Sequence, residues 1–242
     1  MTRLLNGIVA FGSALLLAVT LIGAGFAAVA IPDAVTATLS RAFSGCDQPN
    51  TPFTADEFAS MAIAGKHYTF DDNDREKLDA AIAEANVAAE ADGRATASTR
   101  ENAARSLPAN AISHLDDVYR VASMAKPALA IVAVLCIAGL AHVAVRIGRR
   151  ALGRTLIAGG GLVLAAFCAL GAWAAIDFDG LFAAFHSLFF QAGTWTFPYD
   201  SLLITLYPTA FWMGMGGIWL AVTCIASIIC IIVGRLLRSE TE

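Results

Sequence analysis

ALAIVAVLCIAGLAHVAVRI, residues Ala128–Ile147, followed at once by the basic loop GRRALGR (Gly148–Arg154), decides the fold class of this chain. About 20 consecutive apolar residues are what an α-helix needs to cross the hydrocarbon of a bilayer. Three other stretches meet the same requirement, roughly Leu4–Ala30, Leu156–Ile176 and Thr209–Gly234. With 57% hydrophobic residues over 242 positions, the chain reads as an integral membrane protein rather than a soluble globular one. The net charge of −4 resides in the segments between the spans and suits no nucleic-acid partner.

The arginines set the expected orientation. Arg3 precedes the first span, Arg146, Arg149, Arg150 and Arg154 join the second to the third, and Arg235 and Arg238 follow the fourth. Both termini and the middle loop are therefore expected in the cytoplasm of a bacterial cell, with two segments outside. The expected organisation is a transmembrane helix over 1–30, an extracytoplasmic helical cap over 31–126, and three further transmembrane helices over 127–242 with an outer interfacial segment at 177–208. Ala27-Ala28-Val29-Ala30 has the small residues of a signal-peptidase site, but the preceding apolar run is too long for a signal core, so a retained anchor is expected. Phe43-Ser44-Gly45-Cys46 looks like a lipoprotein-processing box, yet it lies beyond the apolar run and after Asp33 and Arg41.

The long outer segment has helical signals. Thr54-Ala55-Asp56-Glu57 has capping-box spacing, and Phe58, Met61 and Ala62 continue at helical intervals, which predicts a helix over Ala55–Gly65. Leu78, Ile82, Ala85 and Ala89 form the stripe of a second helix, from Asp74 to Ala91, ended by Asp92-Gly93. Arg94–Ser106 reads as a loop or a short weak helix. A third helix begins near Asn110 or Ser113 and carries His114-Leu115-Asp116-Asp117, with His114 and Asp117 on one face. A carboxylate so placed can hold one tautomer of the imidazole.

The short outer segment is aromatic, and a half-submerged helix is expected from about Gly180 to Gln191. Within it lies Phe185-His186-Ser187-Leu188-Phe189-Phe190. A titratable ring at a bilayer edge needs a reason, because lipid offers it no hydrogen-bond partner. Phe182, Phe189 and Phe190 are its i−4, i+3 and i+4 neighbours, an oily setting that disfavours the imidazolium.

Bland readings are available for the other polar residues. His67 suits a solvated surface, His142 a snorkelling or packing role, Asp177 and Asp179 a membrane boundary, and Asp200 an Asx-type turn. Two histidines and an aspartate are chemically able to hold zinc, but no His-Glu-x-x-His and no paired cysteines are present, so no metal is expected. A nucleophile elbow and a phosphate-binding glycine loop are likewise missing, and no cofactor is expected. Gly159-Gly160-Gly161 lies within a span and suits close helix packing.

Ile112-Ser113-His114-Leu115-Asp116-Asp117-Val118, then a span, an arginine loop, Phe185-His186-Ser187-Leu188-Phe189-Phe190, Trp195, Phe197, Asp200, Leu203-Ile204 and Pro208 together resemble the DUF1461 integral membrane family, which includes lipoprotein intramolecular transacylases. The resemblance implies an all-α membrane protein of four transmembrane helices with a helical extracytoplasmic cap and a short interfacial aromatic helix. It implies transfer of the sn-2 acyl chain of a diacylglyceryl-modified lipoprotein to the α-amine of its N-terminal cysteine. His114 and His186 map onto the catalytic pair, with Asp116, Asp117, Asp200 and Trp195 in support and Phe182, Phe185, Phe189 and Phe190 around the acyl chains. Two other readings stay open: a non-enzymatic membrane protein whose cap binds a partner, and an outer-face metal-dependent hydrolase.

Overall fold

The computed structural model describes residues 2–48, 50–95 and 105–239. Among them are helices α1 (Thr2–Ala30), α2 (Asp33–Phe43), α3 (Ala55–Phe70), α4 (Arg75–Ala91), α5 (Ala109–His142, continued by a π-helical turn at Val143–Ile147), α6 (Arg149–Ile176), α7 (Phe178–Ser187), α8 (Leu202–Leu206) and α9 (Thr209–Ser239), and no strand. The all-α membrane fold is as expected. Among the described residues four helical stretches are long and apolar enough to cross a membrane: Arg3–Ala30, Ala109–Ile147, Arg149–Ile176 and Thr209–Ser239. Large apolar side chains such as Phe11, Ile137 and Ile225 are exposed along them, which suits lipid and not water. The expected loop or weak helix at Arg94–Ser106 falls mostly on residues 96–104, outside the described residues.

The second of these stretches departs from expectation. The predicted third outer helix and second span are one unbroken helix of 39 residues, with Pro127 inside it. At 1.5 Å per residue it is about 58 Å long, nearly twice the roughly 30 Å of bilayer hydrocarbon. Its first turns, which carry His114, Asp116, Asp117 and Arg120, therefore lie outside the apolar portion that begins at Ala128.

The described residues fall into two compact units. One takes in those up to Val29, Ala125–Leu181, and those from Gly217 onward. Here Ala18, Val163 and Phe167 are buried together, with Leu21, Ile22, Trp219 and Leu220 packed around them. The Trp219 indole donates to the Ile22 carbonyl at 3.0 Å, so a polar group in an apolar setting is satisfied across helices. A Cβ at Gly159 would come within 3.0 Å of the Ala14 carbonyl oxygen, and one at Gly160 within 2.7 Å of that of Ser227. These two glycines let α6 approach α1 and α9, as expected for small residues between membrane helices; the third, Gly161, faces open space.

The other unit comprises the described residues of Ala30–Met124 together with Phe182–Gly216. The capping box forms as predicted: Glu57 N–H donates to Thr54 Oγ1 at 3.3 Å, and Thr54 N–H donates to Glu57 Oε2 at 2.7 Å. Helix α3 runs on to Phe70, past the predicted stop at Gly65. That glycine admits a neighbour instead of ending the helix, since a Cβ there would collide with Tyr207 Oη. The Tyr207 hydroxyl donates to the Ala62 carbonyl at 2.8 Å. Helix α4 starts where expected, with Asp74 accepting from the Glu76 and Lys77 N–H groups, and ends before Gly93 at φ 69°.

Leu78, Ile82, Ala85 and Ala89, the predicted stripe, are all buried with Phe58, Met61, Ile112 and Leu115 in this unit's core. Leu202, Leu203 and Leu206 of α8 enter the same core. A five-residue helix has almost no stability alone, and roughly 1.5–3 kcal/mol per buried leucine is what holds it. The aromatic segment is thereby anchored to α5, the helix that carries His114.

Candidate active site

His114 and His186 come together in the second unit. Their ring centroids are 6.1 Å apart with the planes inclined by 30°. Helix α7 starts at Phe178, where the Asp177 carboxylate accepts from Gly180 N–H at 2.8 Å, and ends at Ser187, shorter than the predicted Gly180–Gln191. Asp177 is thus a helix cap. His186 stands in the last turn, and its Nδ1 lies 2.8 Å from the carbonyl oxygen of Phe182. A carbonyl only accepts, so Nδ1 carries the proton and Nε2 holds a free lone pair in the neutral ring. A backbone carbonyl four residues back orients this imidazole.

His114 projects from α5 and is 8% exposed. Its Nδ1 is buried and has no hydrogen-bond partner among the described residues. The expected bond to Asp117 does not form: the Asp117 carboxylate accepts from Arg120 Nη1 at 2.6 Å. Arginine, one helical step away and permanently charged, outcompetes a buried neutral imidazole for the carboxylate. Asp117 acts on His114 only through space.

Aromatic rings enclose the pair. Phe190 meets His114 edge-on at 4.9 Å, and Phe197 lies 5.6 Å from it. Phe182 lies 4.0 Å from His186 and Trp195 lies 4.8 Å from it, the latter inclined by 30°. A turn at Gly193, φ 84°, brings Trp195 back over α7. Phe185 and Phe189 are about half exposed and contact each other beside the pair.

This setting fixes the charge state. Burial pushes His114 down to about 4, helped by the charge that His186 would carry, with the Asp117 charge opposing. His186 is also lowered, by burial against the favourable Phe182 carbonyl. Both rings are neutral at pH 7, as the oily environment predicts.

The remaining candidates are elsewhere in the unit. Asp116 accepts from the Tyr68 hydroxyl and, at 3.4 Å, from Asn73 Nδ2. Asp200 is exposed in the turn before α8, whose cap is Ser201. His67 lies within α3 and is held between Asp33 and Asp71. No group of three or more metal-ligating side chains occurs among the described residues. The Phe182 carbonyl was outside the reach of sequence reasoning, because a side-chain motif does not register a backbone acceptor.

Residues 94–212 match the family model described as lipoprotein intramolecular transacylase Lit. No curated protein matches the chain. Among solved structures, the membrane integral lipoprotein intramolecular transacylase Lit from Bacillus cereus is similar over 98% of this chain and 97% of its own, with a TM-score of 0.71 and 18% identity. Two structures of that protein with one histidine replaced, by arginine or by alanine, match at TM-scores of 0.68 and 0.69, with 17% and 16% identity. They cover 99% of this chain and 95% and 96% of their own. At such identity the likeness is one of fold.

Proposed function

We propose that this chain, which resembles the lipoprotein intramolecular transacylases over residues 94–212 and shares a four-span fold with one of them, moves the sn-2 acyl chain of a diacylglyceryl lipoprotein onto the α-amine of its N-terminal cysteine. The observation that carries this reading is the meeting of two neutral imidazoles in an aromatic pocket. The arginines at both termini and between α5 and α6 support cytoplasmic ends and, with them, a histidine pair facing outward at the cytoplasmic membrane, where lipidated substrates are.

An α-amine has a pKa of about 7.7–8.0, so its free-base form, which has already given the ammonium proton to solvent, is the one that attacks an ester. His186 Nε2 takes a proton from the neutral amine nitrogen as the N–C bond forms and the carbonyl electron pair moves onto oxygen. When the pair returns, the bond to the sn-2 oxygen breaks. The imidazolium of His186 then passes its proton to one nitrogen of His114 while the other nitrogen releases one to the glyceryl oxygen. The amine proton ends on the alcohol and both rings return to neutral. The lowered affinity of His114 for a proton in the presence of a charged His186 fits a pair that carries one proton between them. Amine and ester belong to one molecule, so effective concentration is already high and no acyl-enzyme is needed. The half-exposed Phe185 and Phe189, with Phe182 and Phe190, provide the apolar surface for acyl chains.

The test is mass spectrometry of lipoprotein N-termini from a host lacking lyso-form synthesis, with and without this chain. Appearance of the lyso form, unaffected by a chelator, is the expected result. Only the diacylglyceryl form would sink the transacylase reading, and loss of activity on chelation, restored by zinc, would favour a metal hydrolase.

A further inference from the structure

Attack on an ester places a full negative charge on the former carbonyl oxygen, and in an apolar pocket that charge needs a fixed donor. Four hydrogen-bond donors in the segment around His186 are committed to backbone carbonyls. The N–H groups of Phe189 and Phe190 donate to the His186 carbonyl at 3.1 and 2.8 Å. The hydroxyls of Ser187 and Thr194 donate to the carbonyls of Ala184 and Gln191 at 2.8 and 2.9 Å. Trp195 differs from these: its Nε1 is buried and has no partner among the described residues, as is also true of the His114 Nδ1 across the pair. An indole N–H is a donor only, so it cannot be satisfied by changing role. A buried unpaired donor costs on folding and invites an explanation. Its ring is also the one inclined at 30° against His186, 4.8 Å centroid to centroid.

We infer that Trp195 is a further catalytic residue, whose indole N–H donates to the ester carbonyl oxygen and holds the tetrahedral oxyanion while His186 takes the amine proton. The inference rests on the transacylase reading and adds to it the group that takes up the displaced electron pair. The pair that leaves the C=O bond resides on an oxygen facing Nε1 and returns to expel the glyceryl oxygen. No proton is transferred to or from the indole. The unpartnered donor is thereby satisfied only when substrate is present, and most strongly in the transition state, which is how a donor raises kcat instead of merely tightening binding.

The test separates the N–H from the ring. Trp195→Phe keeps an aromatic group, and replacing Trp195 by benzothienylalanine keeps the bicyclic shape while exchanging N–H for sulfur. Both are assayed in reconstituted membranes with a diacylglyceryl lipopeptide, together with thermal unfolding and a pH profile. The expected result for the benzothienylalanine protein is a kcat lower by about 100-fold or more, with unfolding temperature, KM and the acid limb of the profile as in the wild type. Trp195→Phe is expected to lose at least as much. Wild-type kcat in the benzothienylalanine protein overturns the inference, as does a loss confined to KM or accompanied by a shifted acid limb, either of which marks a packing role. A wild-type protein that makes no lyso product overturns the transacylase reading itself, so the two failures are distinguishable.

Discussion

His114 and His186 lie with their ring centroids 6.1 Å apart, although the rest of one membrane-length helix and the whole of another separate them along the chain. Neither ring is held by a carboxylate. His186 is oriented by the Phe182 carbonyl and His114 leaves a buried nitrogen free. The arrangement differs from a hydrolase triad, where an acid stabilises the imidazolium, and fits a site where charge appears only in passing.

Removing either ring should abolish the reaction while sparing the fold. General acid or base catalysis typically contributes about 10²–10⁴-fold, so His186→Ala and His114→Ala are each expected to lower conversion by at least 100-fold. If the two histidines handle one proton in turn, the double variant loses little more than the worse single one. Quantitative mass spectrometry of lipopeptide product checks this, and full conversion by either single variant removes that residue from the catalytic pair.

The acid limb of activity should carry the ionisation of the substrate amine, at about 7.7–8.0, and a second break from the histidine base below the usual imidazole value of about 6.5. A base works when neutral, and burial lowers the pKa of His186, so between those two breaks the rate falls only with the free-amine fraction. Stability follows the same sign. As pH falls, the unfolded chain binds its proton first, near 6.5, whereas folded His114 resists until about 4. The folded state therefore loses stability across that window, on the order of 3 kcal/mol from this group. His114→Leu should flatten the dependence, which denaturation in detergent between pH 7 and pH 4 measures.

The strongly periodic elements were legible because their burial is simple. The Leu78, Ile82, Ala85 and Ala89 stripe faces one core, and the Thr54 and Glu57 reciprocal cap is purely local. Helix α2 escaped notice because its buried face includes Thr36 and Ser40 with Ala37 and Leu39, so hydrophobicity does not mark it. Gly65 looked like a stop because its function, admitting Tyr207, lies far away in sequence. In the candidate site, the resemblance singles out His114 and His186, which the structure brings together, whereas their orientation is not readable from sequence. Which acceptor His186 chooses, and that Arg120 captures Asp117, depend on backbone placement and on a competition that spacing alone does not resolve.

Asp117→Asn should then be mild. Its carboxylate pairs with Arg120 near the surface, and exposed pairs contribute about 0–1 kcal/mol. Loss of its field removes a contribution that raises the His114 pKa, so the change favours the neutral ring. The variant is expected to keep its rate within about 10-fold of wild type, whereas a true orienting acid costs about 10⁴ when neutralised. Steady-state kinetics of Asp117→Asn decides between the two, and a collapse in kcat would restore Asp117 as the residue that fixes the tautomer.

Asp116 should matter for stability instead of turnover. The Tyr68 hydroxyl donates to it, Tyr68 is 4% exposed, and burial with the adjacent carboxylate pushes the phenol up to about 12. Tyr68→Phe removes that donor and, among the described residues, leaves the carboxylate the 3.4 Å contact from Asn73. Asp116 is half-buried and water reaches it, so the loss is that of one hydrogen bond to a charged group, about 1 kcal/mol, and the variant should unfold at lower denaturant while its turnover per folded molecule stays at the wild-type value. His114 precedes Asp116 by only two residues on α5, a separation that turns the two side chains to different faces of the helix. A fall in kcat without a fall in stability would mean that the Tyr68 to Asp116 contact reaches the histidine pair after all.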